Sequence, residues 1–382
     1  MKVLFLQNSP DVIGGVEFVN KTLAEGLLIR GHQTAIYSMR LLGKNESVNL
    51  DSRIETRLIS EHDLVARPSN KLALQLFLHF KWIRCIRQMH AITWYFLKLR
   101  RDYRRMKRAI SEYDPDLIVV SYTYMLDVIP RRMLGRTVAQ IHTSFQFHCD
   151  NSAIYRKLDR YKQKIFRVVW VTGKSAEMAV RAGIDKSIAI YNPIKFSSDV
   201  AADVVNNRRV IYIGRISPEK QVDLIVSMFD DVVREYKLDD WRLDLFGSGS
   251  FDEKTLAILQ KSRQIRHHGN TMDPAKELLQ SALMMVASKY EAFSLAVFEA
   301  NECGVPAIAF EFGEPTAEAI IHGETGIVVE RGDIVGYKEQ LYRLLTQSDL
   351  RSILAANAKT HAQSARIDLV LDQWEEQILS RL

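Results

Sequence analysis

Cysteine is scarce in this chain, and the three present, Cys85, Cys149 and Cys303, stand far apart. They make neither a disulfide framework nor a metal-ligand spacing, which points to a reducing cytosol. Long apolar runs are missing too: nothing approaches the ~18 consecutive apolar residues of a membrane span. Met1-Lys2 leads straight into Val3-Leu4-Phe5-Leu6 and then polar residues, a run too short for a signal peptide that fits a first buried strand. No low-complexity tract occurs, and the net charge of +6 is modest. These absences exclude a disulfide-stapled scaffold, a membrane-spanning bundle and a disordered chain. What remains is a folded protein whose 382 residues, 47% of them apolar, suffice for two domains with separate cores.

Residues 2–7 read as a strand. Gly14-Gly15-Val16-Glu17 then opens an amphipathic helix (Val16, Val19, Leu23, Leu27) that ends at Gly31. Strands follow at 33–39 and 54–59, so the chain starts as a doubly wound parallel sheet. Gly14-Gly15 does not match the dinucleotide fingerprint G-x-G-x-x-G; it is either a close approach of backbone to a ligand or a plain tight turn. Asp114-Pro115-Asp116 has the metal-binding Asp-x-Asp spacing, but Pro interrupts it and it precedes the strand 117–120, so a turn and no metal are expected. His142 closes the strand 138–141, where it could polarise a substrate or serve the structure alone. Further strands fall at 168–172 and 188–191, and Asn192-Pro193 is a turn signal that leads into a polar linker ending near Arg209.

Between Lys71 and Arg108 the character changes. Arg84, Arg87, Lys98, Arg100, Arg101, Arg104, Arg105, Lys107 and Arg108 face the single acid Asp102, with Trp82, Trp94, Tyr95 and Phe96 interleaved. The apolar residues recur at helical spacing, which predicts one or two amphipathic helices. An anionic membrane surface is the partner expected for this segment. A packed helix with merely solvated arginines is the plain alternative. Basic residues with aromatics also mark single-strand binding, but no nucleic acid is expected.

A second α/β unit starts with the strand 209–213, followed by Gly214-Arg215-Ile216-Ser217-Pro218-Glu219-Lys220. Ser217 as N-cap and Pro218 at the first helical position predict a helix from about Pro218. Two cations at a helix start oppose the helix dipole, and an anion between them, such as a diphosphate, would resolve the conflict. The strand 241–246 ends in Gly247-Ser248-Gly249, and 265–268 is short and extended before Gly269-Asn270. The apolar run 283–287 then enters Ser288 to Pro306. There Ser294 is placed to N-cap a helix, Gly304 to end it and Pro306 to stop it. Glu291 thus lies on a loop at the carboxyl end of a strand and Glu299 in the helix below, with free amides near Ala292 to Leu295. That set suits two groups of hydroxyls with a phosphate between them. An exposed loop Glu followed by an unrelated helical one is the plain alternative. The last segment, 367–382, is a separate helix carrying Trp374.

Two doubly wound units, Gly14-Gly15 in the first, and Gly-Arg-x4-Lys then Glu-x7-Glu in the second, together resemble the retaining GT-B glycosyltransferases of family GT4. The resemblance covers nearly the whole chain. It implies an N-terminal acceptor-binding Rossmann-like domain (1–192), a nucleotide-sugar-binding domain (193–365) and a final helix (366–382) crossing back onto the first. It implies transfer of a hexose or N-acetylhexosamine from a nucleotide-diphosphate sugar, UDP by family habit, to a cell-surface glycan, teichoic-acid-like or lipid-linked acceptor, with retention and with no metal or other cofactor. Arg215 and Lys220 match the pair on the donor diphosphate, and Glu299 matches the acid on the ribose hydroxyls. Glu291 matches the acid beside the transferred sugar, and His142 a histidine near the anomeric centre. Gly15, with Gly14, matches the glycine that lets the first domain close. The amides of Phe293, Ser294 and Leu295 match those reaching sugar or phosphate. Gly247, at the carboxyl end of the strand 241–246, is a further candidate for donor binding, and His268-Gly269-Asn270 falls where the family meets the nucleobase.

The chain departs from the pattern at Ala292, where the family usually has Gly, and at Glu311-Phe312-Gly313-Glu314-Pro315-Thr316, which replaces a Gly-rich segment. A peripheral position at the inner face of the cell membrane is expected. Two other readings stay open: a sugar-nucleotide epimerase on the same plan, and a non-catalytic sugar-nucleotide- or membrane-binding protein.

Overall fold

A computed structural model describes residues 1–10, 15–40, 50–60 and 82–382. The first sheet is built from β1 (Lys2–Gln7), β2 (Gln33–Arg40), β3 (Glu55–Ser60), β4 (Leu117–Val120), β5 (Thr137–Ile141), β6 (Arg167–Trp170) and β7 (Ser187–Ala189). Its order is β3-β2-β1-β4-β5-β6-β7. The second sheet holds β8 (Arg209–Ile213), β9 (Arg242–Phe246), β10 (Ile265–His267), β11 (Leu283–Val286), β12 (Ala307–Phe310) and β13 (Gly326–Val329). Its order is β10-β9-β8-β11-β12-β13. Neighbouring strands are parallel in both sheets. Helices cover both faces, which is why β4 and β11 read as continuous apolar runs rather than alternating ones. The strand order reverses between β1 and β4 in one sheet and between β8 and β11 in the other. The loops at those two switch points face each other, which puts the ligand crevice between the sheets.

Local expectations held unevenly. The helix after β1 runs from Gly15 to Ile29, and Gly14 lies outside the described residues. Of the basic stretch, residues 71–81 also lie outside them, while Trp82–Tyr113 is one continuous helix. The helix after β8 begins at Val222, with Gln221 before it in the left-handed region at φ 49°. Ser217 and Pro218 open a turn instead, closed by the Lys220 amide on the Ser217 carbonyl at 2.9 Å. The expected helix start at Pro218 is therefore wrong, and with it the placing of Arg215 and Lys220 at a helix start. Asp114 pairs with Arg136 and Asp116 accepts from the Lys2 amide, at the amino edge of the sheet and away from the crevice.

The last helix, Ile367–Gln377, shares one buried cluster with β1 and with the helix Gly15–Ile29 through Val370, Leu371 and Trp374. Arg30 adds ion pairs to Asp372 and Glu375, both at 2.7 Å. The segment between β7 and β8 lies along the second unit: Ile194 donates to the Ala365 carbonyl at 2.9 Å and Ala202 to that of Cys303 at 2.8 Å.

Candidate active site

A cavity of about 510 Å³ opens between the carboxyl ends of the two sheets. Its lining joins Gly15, Phe18, His142 and Asn192 from one side with Arg215, Lys220, Glu291, Ser294, Leu295 and Glu299 from the other. Residues far apart in sequence converge because both switch points deliver their loops to one place.

The segment Ser288–Pro306 supplies most of the second wall. Its helix runs from Leu295 to Glu302 and ends in a Schellman turn: Gly304 at φ 69° donates to Asn301, and Val305 to Ala300, each at 2.8 Å. The amino end departs from expectation. Ser294 sits at the N-cap, but in the left-handed region at φ 62°, and its hydroxyl makes no capping bond. That conformation costs a non-glycine residue about 1–2 kcal/mol and is retained where surroundings over-determine it, commonly at binding sites. The result is a helix start beside the cavity without a side-chain cap, suited to an anion. Phe293 behind it stacks on Phe298 at 4.3 Å, which anchors the turn in the core. Ala292 keeps a negative φ, so the missing glycine is accommodated; the left-handed residue is Ser294.

Two carboxylates define the chemistry. Glu291 Oε1 accepts Lys220 Nζ at 2.6 Å and Ser288 Oγ at 2.7 Å. Glu299 is 2% exposed, and its Oε1 has no hydrogen-bond partner among the described residues. Lys195 Nζ stands 3.6 Å from it and 5.0 Å from the Phe18 ring centroid. Burial pushes the Glu299 carboxyl above its ordinary range, with Lys195 acting in the opposite sense. A buried acceptor of this kind asks for donors such as paired hydroxyls. Arg215 is 74% exposed and 3.5 Å from Glu219, so its fork is free to swing onto a ligand. Lys195 was missed by sequence reasoning; its one signal is its place just after the Asn192-Pro193 turn.

On the first wall Gly15 faces Leu295: a methyl group added to it would stand 3.8 Å from Leu295 Cδ1. His142 has both ring nitrogens buried and without partners among the described residues, and its pKa is lowered to about 4 by desolvation, with Asn192 opposing. It is a neutral imidazole at neutral pH.

Not every expected residue arrives. His268 Nε2 donates to Asp244 Oδ1 at 2.8 Å, and its ring stacks on Phe246 at 4.8 Å. Gly269 accepts from the Gly247 amide at 2.7 Å. Gly247, at φ 143°, lies so close to Gly214 that a Cβ would sit 1.8 Å from the Gly214 carbonyl oxygen. These residues and Asn270 do not line the cavity. Gly247 instead lets the β9 loop lie against the loop that carries Arg215. Among the described residues no group of three or more His, Cys, Asp or Glu is arranged to hold a metal ion.

Known proteins share this organisation. A family model described as Glycosyltransferase Family 4 matches residues 13–197, and one described as Glycosyl transferases group 1 matches residues 196–361. The chain is 24% identical over 410 residues to an exopolysaccharide phosphotransferase of Streptomyces coelicolor, covering 98% of this chain and 40% of that protein. It is 25% identical over 391 residues to the amylovoran biosynthesis glycosyltransferase AmsD of Erwinia amylovora, covering 98% and 99%. Among solved structures, S. aureus TarM in complex with fondaparinux, α-GlcNAc-glycerol and UDP has the same fold, with a TM-score of 0.75 at 13% identity over 99% of both chains. The two family models meet at the linker between the two sheets, so the chain belongs to the GT4-type, group 1 glycosyltransferases of GT-B fold.

Proposed function

We propose that the chain is a retaining glycosyltransferase that moves a hexose or N-acetylhexosamine from a UDP-sugar to a hydroxyl of a teichoic-acid-like, polysaccharide or lipid-linked acceptor. The observation that carries this reading is the buried Glu299 oxygen, without a hydrogen-bond donor among the described residues, set beside an uncapped helix start and the Lys220–Glu291 pair. Glu299 accepts the ribose hydroxyls, and Arg215, Lys220 and the Ser294–Leu295 amides meet the diphosphate. The complex of TarM with UDP, the amylovoran-biosynthesis role of AmsD and the exopolysaccharide phosphotransferase of S. coelicolor support the donor and acceptor classes.

The difficulty of the reaction is charge separation. The C1–phosphate bond breaks while the sugar is oxocarbenium-like and the diphosphate gains charge. Side-chain cations and helix-start amides aimed at the leaving group stabilise that state without a metal. Attack comes from the same face: the acceptor oxygen bonds C1 as its proton passes to the departing phosphate oxygen. The donor's diphosphate draws Lys220 away from Glu291, and Glu291 then orients the sugar hydroxyls. His142, neutral, serves as a hydrogen-bond partner near the anomeric centre.

The helix Trp82–Tyr113 brings the enzyme to its acceptor. Trp94 is 59% exposed and Leu97 61%, and Arg100, Arg101, Arg104, Arg105, Lys107 and Arg108 are exposed behind them. Lys98 does not join them; it is buried, its ammonium 5.1 Å from the Trp94 ring centroid. Apolar tips beside exposed cations suit an anionic lipid surface.

A thermal-shift panel of nucleotides and nucleotide sugars tests the donor. At ~100 times the dissociation constant a ligand adds about 2.7 kcal/mol, and no response to any uridine nucleotide would sink the UDP assignment. Product anomers read by NMR test retention, since an inverted product rules it out. Co-sedimentation with phosphatidylglycerol vesicles should weaken with salt, and indifference to lipid charge would remove the membrane role.

A further inference from the structure

Two glutamates on the segment after β12 reach out of the second unit and into the first. Glu314 Oε1 accepts from the Phe145 amide at 2.5 Å and from Ser175 Oγ at 2.6 Å, while its Oε2 is buried with no partner among the described residues. Glu318 uses both oxygens: Oε1 accepts from the Lys174 amide at 2.7 Å, and Oε2 from the Gly173 amide at 2.8 Å and from the Tyr191 hydroxyl at 2.9 Å. Gly173 and Lys174 open the helix Gly173–Arg181, so the carboxylate satisfies orphan amides and favours the positive end of that helix. Tyr191 packs its ring on Phe293 at 5.2 Å and on Phe298 at 5.8 Å, just before the linker begins.

These contacts hold the catalytic loop of the first wall. Phe145 follows His142-Thr143-Ser144, all cavity-lining. It opens the short helix Phe145–Asp150, whose Phe147 stacks on Tyr290 at 5.7 Å, next to Glu291. We propose that Glu314 and Glu318 are positioning residues that clamp the first unit onto the second, Glu318 beside the linker and Glu314 beside the cavity, and so set His142 and Phe147 against the Glu291–Glu299 wall. The catalytic consequence rests on the glycosyl-transfer reading; the clamp itself does not.

The use of one oxygen by Glu314 and of two by Glu318 yields an asymmetric test. Glu314→Gln keeps the oxygen that accepts both bonds, whereas Glu318→Gln leaves one carbonyl oxygen for three donors. Amide hydrogen exchange of the full chain is followed at 145 and at 173–174, alongside UDP affinity and sugar transfer. In Glu318→Gln and Glu318→Ala, exchange at 173–174 should quicken about tenfold, and in Glu314→Ala so should exchange at 145. Glu314→Gln should stay near the parent. UDP affinity should remain within about twofold in all four, because the donor contacts lie on the second unit, while transfer falls about tenfold wherever exchange rises. Unchanged exchange at both places, or exchange raised throughout the chain, would overturn the clamp. Faster local exchange with undiminished transfer would overturn the positioning role. A parent that binds UDP but transfers no sugar fails the glycosyl-transfer reading separately, and the exchange pattern alone then decides the clamp.

Discussion

The two walls of the cavity differ in kind. The second-sheet wall is charged, with Arg215, Lys220, Glu291 and Glu299 on loops and a helix that follow β8 and β11. The first-sheet wall is close to neutral: Gly15, Phe18, an imidazole whose pKa lies near 4, and Asn192. A charged wall suits a nucleotide diphosphate, whereas a neutral one offers it little affinity, and its contribution is expected to come from closing. Closing excludes water and raises the effect of every charge opposite. The neutral wall is bonded to the charged unit through Glu314 and Glu318.

The largest effects should come from the charged wall. Replacing Arg215 or Glu299 by Ala is expected to lower turnover by roughly 10²-fold or more, measured as transfer from the donor that binds; full activity in both variants would break the comparison at its root. His142→Asn should cost less, about tenfold, because a neutral hydrogen bond is at stake. A loss as large as that of Glu299→Ala would show that the first wall carries chemistry of its own. Lys195→Ala should weaken UDP binding about tenfold by calorimetry, and an unchanged affinity would confine Lys195 to the resting arrangement.

Smaller effects concern stability. His142 and His148 both have pKa values lowered to about 4 by burial, against an unfolded value near 6.5. Between about pH 6.5 and 4 the unfolded chain binds protons that the folded one does not, so stability is lost as pH falls through that window. The drop in Tm from pH 7 to pH 5 should shrink in His148→Phe, which keeps the packing on Trp170; an unaltered slope would mean that other groups set it. Glu299 has the opposite sign. Its carboxyl is raised, so its ionised form opposes folding at neutral pH and is relieved as pH falls. Glu299→Gln should therefore raise Tm while lowering transfer, the exchange of stability for function expected of a binding site. A lowered Tm would show that the Lys195 pair outweighs the burial.

Much of this was legible in the chain. The buried strands announced themselves as short apolar runs, and the Glu-x7-Glu spacing placed one acid on a loop and one in a helix, where they are found. Gly304 and Pro306 marked the end of that helix correctly. Errors fell on helix starts. Ser217-Pro218 carries the residue types of a cap, yet the helix begins at Val222 after a left-handed Gln221; Ser294 stands at its N-cap as expected, but left-handed and without a capping bond. Cap preferences amount to about 1 kcal/mol, which the packing of a loop against a neighbouring sheet readily exceeds.

By itself the chain determined the doubly wound plan, the order of its motifs and the two acids, because apolar periodicity and turn residues act over short distances. Only the tertiary structure decided which groups meet. It paired Lys220 with Glu291, brought the unremarked Lys195 to Glu299, bonded His268 to Asp244, set Gly247 against Gly214, and gave Glu314 and Glu318 the amides of another unit. Such contacts join residues up to 169 positions apart. They arise from how two sheets face each other, a relation that no local pattern of residues encodes.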